Sequence, residues 1–183
     1  MRLFASLATA LVFTFAATAM APAASLDPEN TLYMDLPAGR VVIKLRPDLA
    51  PKHVAQIKAL ARKHFYDGTP FHRVIEGFMA QGGDPTGTGT GGSDLPDLKA
   101  EFSNAPFKRG TVGAARSSDP DSANSQFFIC FDDASGLNGQ YTVWGEVVSG
   151  MEFVDKLKKG SGEDGLVDNP DKLIKLQVAA DAK

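Results

Sequence analysis

Residues 71–83, FHRVIEGFMAQGG, hold the side chains best able to act on a ligand: one arginine among phenylalanine, methionine and glutamine. Strand side chains alternate between faces, so Phe71, Arg73 and Ile75 share one face, and His72 and Val74 the other. Gly77 can bend the chain, after which Met79 and Gln81 share a face, joined by Phe78 if the bend rotates it. A second aromatic run, FFICF at 127–131, supplies further apolar surface. Arginine keeps its charge and offers up to five donors, so Arg73 can stabilise developing electron density without proton transfer. Two readings stand on these residues alone: core strands carrying a surface arginine, or the wall of a ligand site.

Other chemistries lack their residues. There is no G-x-S-x-G, H-E-x-x-H or C-x-x-C, and His53, His64 and His72 have no metal-ligand spacing. His72, on a strand, is read as a satisfied core histidine. Cys130 is the only cysteine and lies in an apolar run, which favours a buried thiol over a nucleophile and excludes an internal disulfide. GTGTGG at 87–92 fits G-x-G-x-x-G formally. That pattern binds phosphates only between a strand and a helix, and SDLPD follows instead, so it is read as a flexible glycine loop. The formal charge of −3, without long runs of one sign, disfavours a nucleic-acid or membrane-surface binder. The small basic cluster at 58–64 is read as a solvated helix face.

Positioning such a wall requires strands, and the chain has many short ones. Residues 31–36 and 40–45 are β-branched or alternating around Pro37-Ala38-Gly39, a hairpin signal. Further strands are expected at 71–75, 78–81, 111–115, 126–131, 141–147 and 172–179, with a weaker one at 98–102. Val54, Ile57, Leu60 and Ala61 have helical spacing, which predicts a helix over 51–63, with Asp48 as cap and Pro51 in the first turn. A second helix is expected over 151–158, stopped by Gly160. This mainly β pattern without βαβ alternation predicts an antiparallel barrel or sandwich. Two long polar loops, 82–97 and 116–125, interrupt it and are functional or mobile by their length.

Of the 183 residues, 1–23 read as a cleavable signal peptide: Arg2, an apolar stretch, then Ala21-Pro22-Ala23. A membrane anchor is the alternative, disfavoured by the alanine- and threonine-rich composition and by Pro22. The mature domain is then 24–183 and its location periplasmic or secreted.

FHRVIEGFMAQGGDPTGTGTGG, NSQFFIC and LNGQYTVWGEVVSGMEFVDKL resemble, in order and spacing, the cyclophilin family of peptidyl-prolyl isomerases. The resemblance runs from about Asn30 to Ala180. It implies a closed eight-stranded antiparallel β-barrel capped by two α-helices, and a folding-assisting isomerase for X-Pro bonds of exported proteins. A proline-peptide binding module or chaperone with little turnover is the alternative. On this resemblance Arg73 is the catalytic arginine. Phe78, Met79, Phe128 and Leu137 form the pocket for the proline ring, and Gln81 lies beside the substrate backbone. Gly89, Ala115, Arg116 and Gln126 match further groove positions, while Phe127 and Trp144 match core residues. No metal or other cofactor is implied, and the partners are proline-containing polypeptides, met by a monomer that binds no nucleic acid and does not stay in the membrane. The chain departs from the familiar pattern at Arg116, where asparagine is usual, and at Tyr141, where histidine is common and an aromatic wall with a polar tip remains. The pocket tryptophan falls on Ser135 or Gly136, which implies weak binding of cyclosporin.

Overall fold

The computed structural model describes residues 26–183. The expected targeting segment, 1–23, lies outside the described residues. Eight strands form one antiparallel sheet: β1 (Thr31–Leu36), β2 (Gly39–Leu45), β3 (Arg73–Ile75), β4 (Met79–Gly82), β5 (Thr111–Ala114), β6 (Phe127–Cys130), β7 (Val143–Ser149) and β8 (Lys175–Val178). Their spatial order is β3-β4-β6-β5-β7-β2-β1-β8. Two helices, α1 (Pro51–Arg62) and α2 (Met151–Val154), accompany them.

Alternation decides which face each strand buries. Leu32, Met34 and Leu36 of β1 and Val41, Ile43 and Leu45 of β2 enter the main core, where Val54, Ile57 and Leu60 of α1 meet them. Burial of each such side chain is worth about 1.5–3 kcal/mol. Strands β4 and β6 bury both faces. Ala80, Phe127 and Ile129 join the main core, whereas Met79, Phe128 and Cys130 join a smaller cluster with Phe107 and Val143. That smaller cluster lies beneath the candidate site. Trp144 is in the main core, its ring edge-on to Phe127 at 5.9 Å. Cys130 is fully buried, and burial pushes its thiol up to about 12.

The expected closed ring is not made: the sheet curls into a half-barrel whose edge strands β3 and β8 share no ladder. The preceding segments meet instead, through the Pro70–Lys172 bridge and hydrogen bonds from Gly68 N to Leu173 O (2.7 Å) and Phe71 N to Asp171 O (2.9 Å). Pro70 has no N–H, which limits any regular ladder there.

Three local expectations are corrected. Asp48 does not cap α1; it lies too early and binds Arg46 at 2.7 Å, while Glu101 accepts from Lys52 N and His53 N (3.1 and 3.0 Å). Helix α2 ends at Val154, because Leu157 N turns tightly back to Val154 O and Lys158 N is taken by Asp171. The 98–102 run forms only one bridge, Leu98 to Ala123, since Ala100 N and Glu101 N donate to the side chains of Asp121 and Thr142.

Candidate active site

Register lines up one row of residues across the sheet. Leu166 pairs with Arg73, Arg73 with Gln81, Gln81 with Phe128, and Phe128 with Gly113. Directly opposed residues point to the same face, so positions far apart in sequence converge. Arg73, Phe78, Met79, Gln81, Ala115, Arg116, Phe128, Leu137 and Tyr141 line one cavity of about 200 Å³. A drug-sized or cofactor pocket has about 300–1,000 Å³, so this one suits a ring-sized group. Gly89 and Gln126 line an adjoining groove of about 560 Å³, which shares Gln81, Ala115 and Arg116 with the cavity. Every residue expected from the sequence therefore lies in one continuous depression.

The cavity floor is built by stacking. Phe107 lies nearly parallel to Phe128 at 5.6 Å, and Tyr141 meets Phe128 edge-on at 5.7 Å. The Arg116 guanidinium covers the Tyr141 ring at 4.4 Å and donates to the carbonyls of Ser117 (2.8 Å) and Gln140 (2.9 Å). Cation–π contact and two carbonyls thus hold Arg116 as the partition between cavity and groove. Ser135 and Gly136, where the resemblance sets a tryptophan, are exposed, and a Cβ on Gly136 would meet nothing within 4 Å.

A polar relay fixes the other wall. Arg73 Nη1 donates to Gln81 Oε1 at 3.3 Å and approaches Met79 Sδ at 3.9 Å. Gln81 Nε2 donates to Gln126 Oε1 at 2.9 Å, and Gln126 Nε2 donates to Gly89 O and Gly91 O at 3.0 and 2.9 Å. The glycine loop that supplies those carbonyls is wound around Asp84, which is fully buried. Its carboxylate accepts from Thr86 N (2.7 Å), Thr86 Oγ1 (2.8 Å), Gly89 N (2.7 Å) and Gly91 N (3.1 Å). Burial alone would raise the Asp84 pKa; the Thr86 hydroxyl and the three amides outweigh it and hold the carboxyl at about 2. The 87–92 turn is therefore ordered around an internal anion, and no helix follows it to receive a phosphate.

His72 is buried beside this loop, as a core histidine should be. Neither ring nitrogen makes a well-formed hydrogen bond among the described residues, although the Pro70 backbone lies close enough to favour the charged ring, and burial lowers its pKa.

The sequence reading missed Asp164, whose carbonyl accepts from Arg73 Nε at 2.8 Å, and Phe107 under the floor. A carbonyl leaves no side-chain signal; the closest available sign was the glycine spacing of GSGEDG at 160–165.

The model of the cyclophilin type peptidyl-prolyl cis-trans isomerase/CLD family matches residues 31–179. The chain belongs to the cyclophilin family. This cyclophilin is 57% identical over 190 residues to a probable peptidyl-prolyl cis-trans isomerase of Brucella suis, covering 97% of each chain. It is 42% identical over 123 residues to peptidyl-prolyl cis-trans isomerase B of Bacillus subtilis, covering 66% of this chain and 85% of that one. Among solved structures, the cyclophilin AquaCyp293 of Hirschia baltica matches with a TM-score of 0.77 at 29% identity, over 86% of this chain and 77% of that one. A Cryptosporidium parvum cyclophilin solved in the presence of the dipeptide Ala-Pro matches with a TM-score of 0.74 at 28% identity, over 81% of this chain and 98% of that one. The cyclophilin is thus a peptidyl-prolyl cis–trans isomerase with a mainly β, eight-stranded fold.

Proposed function

We propose that the cavity receives the proline ring of an X-Pro segment, that Arg73 stabilises the twisted amide, and that the substrates are exported polypeptides. The observation that carries this reading is that Arg73 lines the same small pocket as Phe78, Met79, Phe128 and Leu137.

Nitrogen lone-pair donation into the carbonyl gives the amide a rotation barrier of about 18–20 kcal/mol. At X-Pro bonds the two isomers are close in energy, yet exchange takes about tens to hundreds of seconds. A catalyst must bind the twisted state better than either planar one. In that state the proline nitrogen becomes pyramidal and its lone pair localises, so it accepts a hydrogen bond that the planar amide accepts poorly. Arg73 donates it with no proton changing hands. A hydrogen bond to a charged group is worth about 1.5–3 kcal/mol, which is about one to two decades in rate. Holding the ring against Phe128 while the preceding carbonyl swings supplies the rest. Gln81 aligns the substrate backbone, and the flanking residues lie along the groove past Gly89, Ala115, Arg116 and Gln126.

The apolar segment 1–23 with its small-residue end supports export to the periplasm or medium, where the enzyme acts as a monomer. Among the described residues, no helix is long and apolar enough to cross a membrane. The test is a protease-coupled assay on a short X-Pro peptide with the 24–183 form. Arg73→Ala is expected to lose one to two decades of kcat/KM, about the worth of the hydrogen bond, with an unchanged circular dichroism spectrum. Full activity in that variant overturns the role given to Arg73.

A further inference from the structure

Arginine is a long side chain with much rotamer entropy, so something must aim the guanidinium. The Gln81 contact is long at 3.3 Å, whereas the bond from Nε to Asp164 O is 2.8 Å. Nε is the donor nearest the stem, so its partner fixes the plane in which the two terminal nitrogens lie.

Asp164 belongs to a short turn fastened to the outer edge of β3. Gly160 N donates to Val74 O (2.9 Å), Val74 N to Gly165 O (2.8 Å), and Val167 N to His72 O (3.0 Å). Ser161 N closes the turn on Leu166 O at 3.1 Å. The fit is backbone against backbone. Gly165 has φ +67°, and a Cβ there would collide with Ile75 Cγ1 and stand 3.1 Å from Val74 O. A Cβ on Gly160 would strike the Gly165 carbonyl. Gly162 has a similar φ of +69° but open space around it.

We propose that the 160–166 turn is the positioning element of the isomerase: bare at Gly165, it packs close enough to β3 for the Asp164 carbonyl to aim Arg73. Gly165 is then a positioning residue acting through Arg73. This rests on the reading of Arg73 given above. The Asp164 side chain has no part in it, because the acceptor is the main-chain oxygen.

The experiment compares Gly165→Ala with Gly162→Ala, which carries the same backbone strain without the collision. Misplacing a catalytic group by about 1 Å can cost about a hundredfold. Gly165→Ala should therefore lower kcat between about tenfold and a hundredfold with KM moved less than about threefold, while Gly162→Ala stays within about twofold of wild type. In an Arg73→Ala background, Gly165→Ala should cost less than about twofold, since the group it aims is gone. An equal loss in that background overturns the proposal, because the damage would then be general. If Arg73→Ala alone is fully active, the arginine reading fails instead, so the two failures are distinct. Should Gly165→Ala not fold, exchange of the Arg73 Nε proton in wild type decides by nitrogen-15 NMR: slow exchange supports the bond to Asp164, and exchange as fast as free arginine overturns it.

Discussion

Replacing Asp84 by asparagine removes the charge around which the glycine loop is wound. The carboxylate is fully buried and takes four hydrogen bonds, three from backbone amides and one from the Thr86 hydroxyl. Its pKa of about 2 lies below an ordinary aspartate value of about 3.9. At 1.36 kcal/mol for each pH unit, that difference is worth about 2.5 kcal/mol. The sign follows from linkage. The folded state binds the proton more weakly than the unfolded one, so the stabilisation is complete above about pH 5 and drains away as pH falls through about 2. Asp84→Asn should thus lose about 2.5 kcal/mol at pH 7, and the gap to wild type should narrow as pH drops from 5 to 3. Burial lowers the pKa of nearby His72, and the Asp84 charge partly opposes that shift. Urea unfolding followed by the fluorescence of buried Trp144 reads the difference. A variant as stable as wild type at pH 7, or a gap that stays constant down to pH 3, would refute the reasoning.

Two further outcomes are expected. A Cβ at Gly113 would lie 2.5 Å from Phe128 Cζ and 2.7 Å from Phe107 Cε1, so Gly113→Ala should tilt the Phe128 ring into the cavity. Denaturant titration should show a loss of about 1–3 kcal/mol from overpacking, and the peptide assay a raised KM. Gly136→Trp places an indole where the family resemblance expects one and where a Cβ meets open space. Cyclosporin affinity, measured by inhibition, should rise while fold stability stays within about 0.5 kcal/mol, as for surface changes.

The strands were legible wherever one face is buried. Alternation at 31–36 marks β1 to the residue, and Pro37-Ala38 falls in the β1–β2 turn. The arginine-bearing pair 71–75 and 78–81 appears as β3 and β4 with Arg73 opposite Gln81. What the sequence hid is what the backbone does on its own account. Closure of the ring was expected from resemblance, yet the seam runs through irregular segments at Pro70 and Lys172, where no side-chain period exists to be read. Helix α2 looked longer because Leu157 keeps helical spacing, while Asp171 diverts the chain at Lys158. Of the site, every expected lining residue converges, because strand register carries side chains there. Asp164 was invisible because it contributes only a carbonyl, and Phe107 because it supports Phe128 from a proline-flanked segment without periodicity.

The bond between Arg73 and Asp164 joins residues 91 positions apart. Any route that delivers the chain N-terminus first presents Arg73 well before its acceptor, and chains begin to fold as they emerge. A nascent chain that has reached β7 already holds Arg73, Gln81, Gln126 and Phe128, but nothing yet grips the guanidinium from its outer side. On the positioning role proposed above, competence to turn proline bonds is therefore acquired only once residues 160–166 have docked on β3.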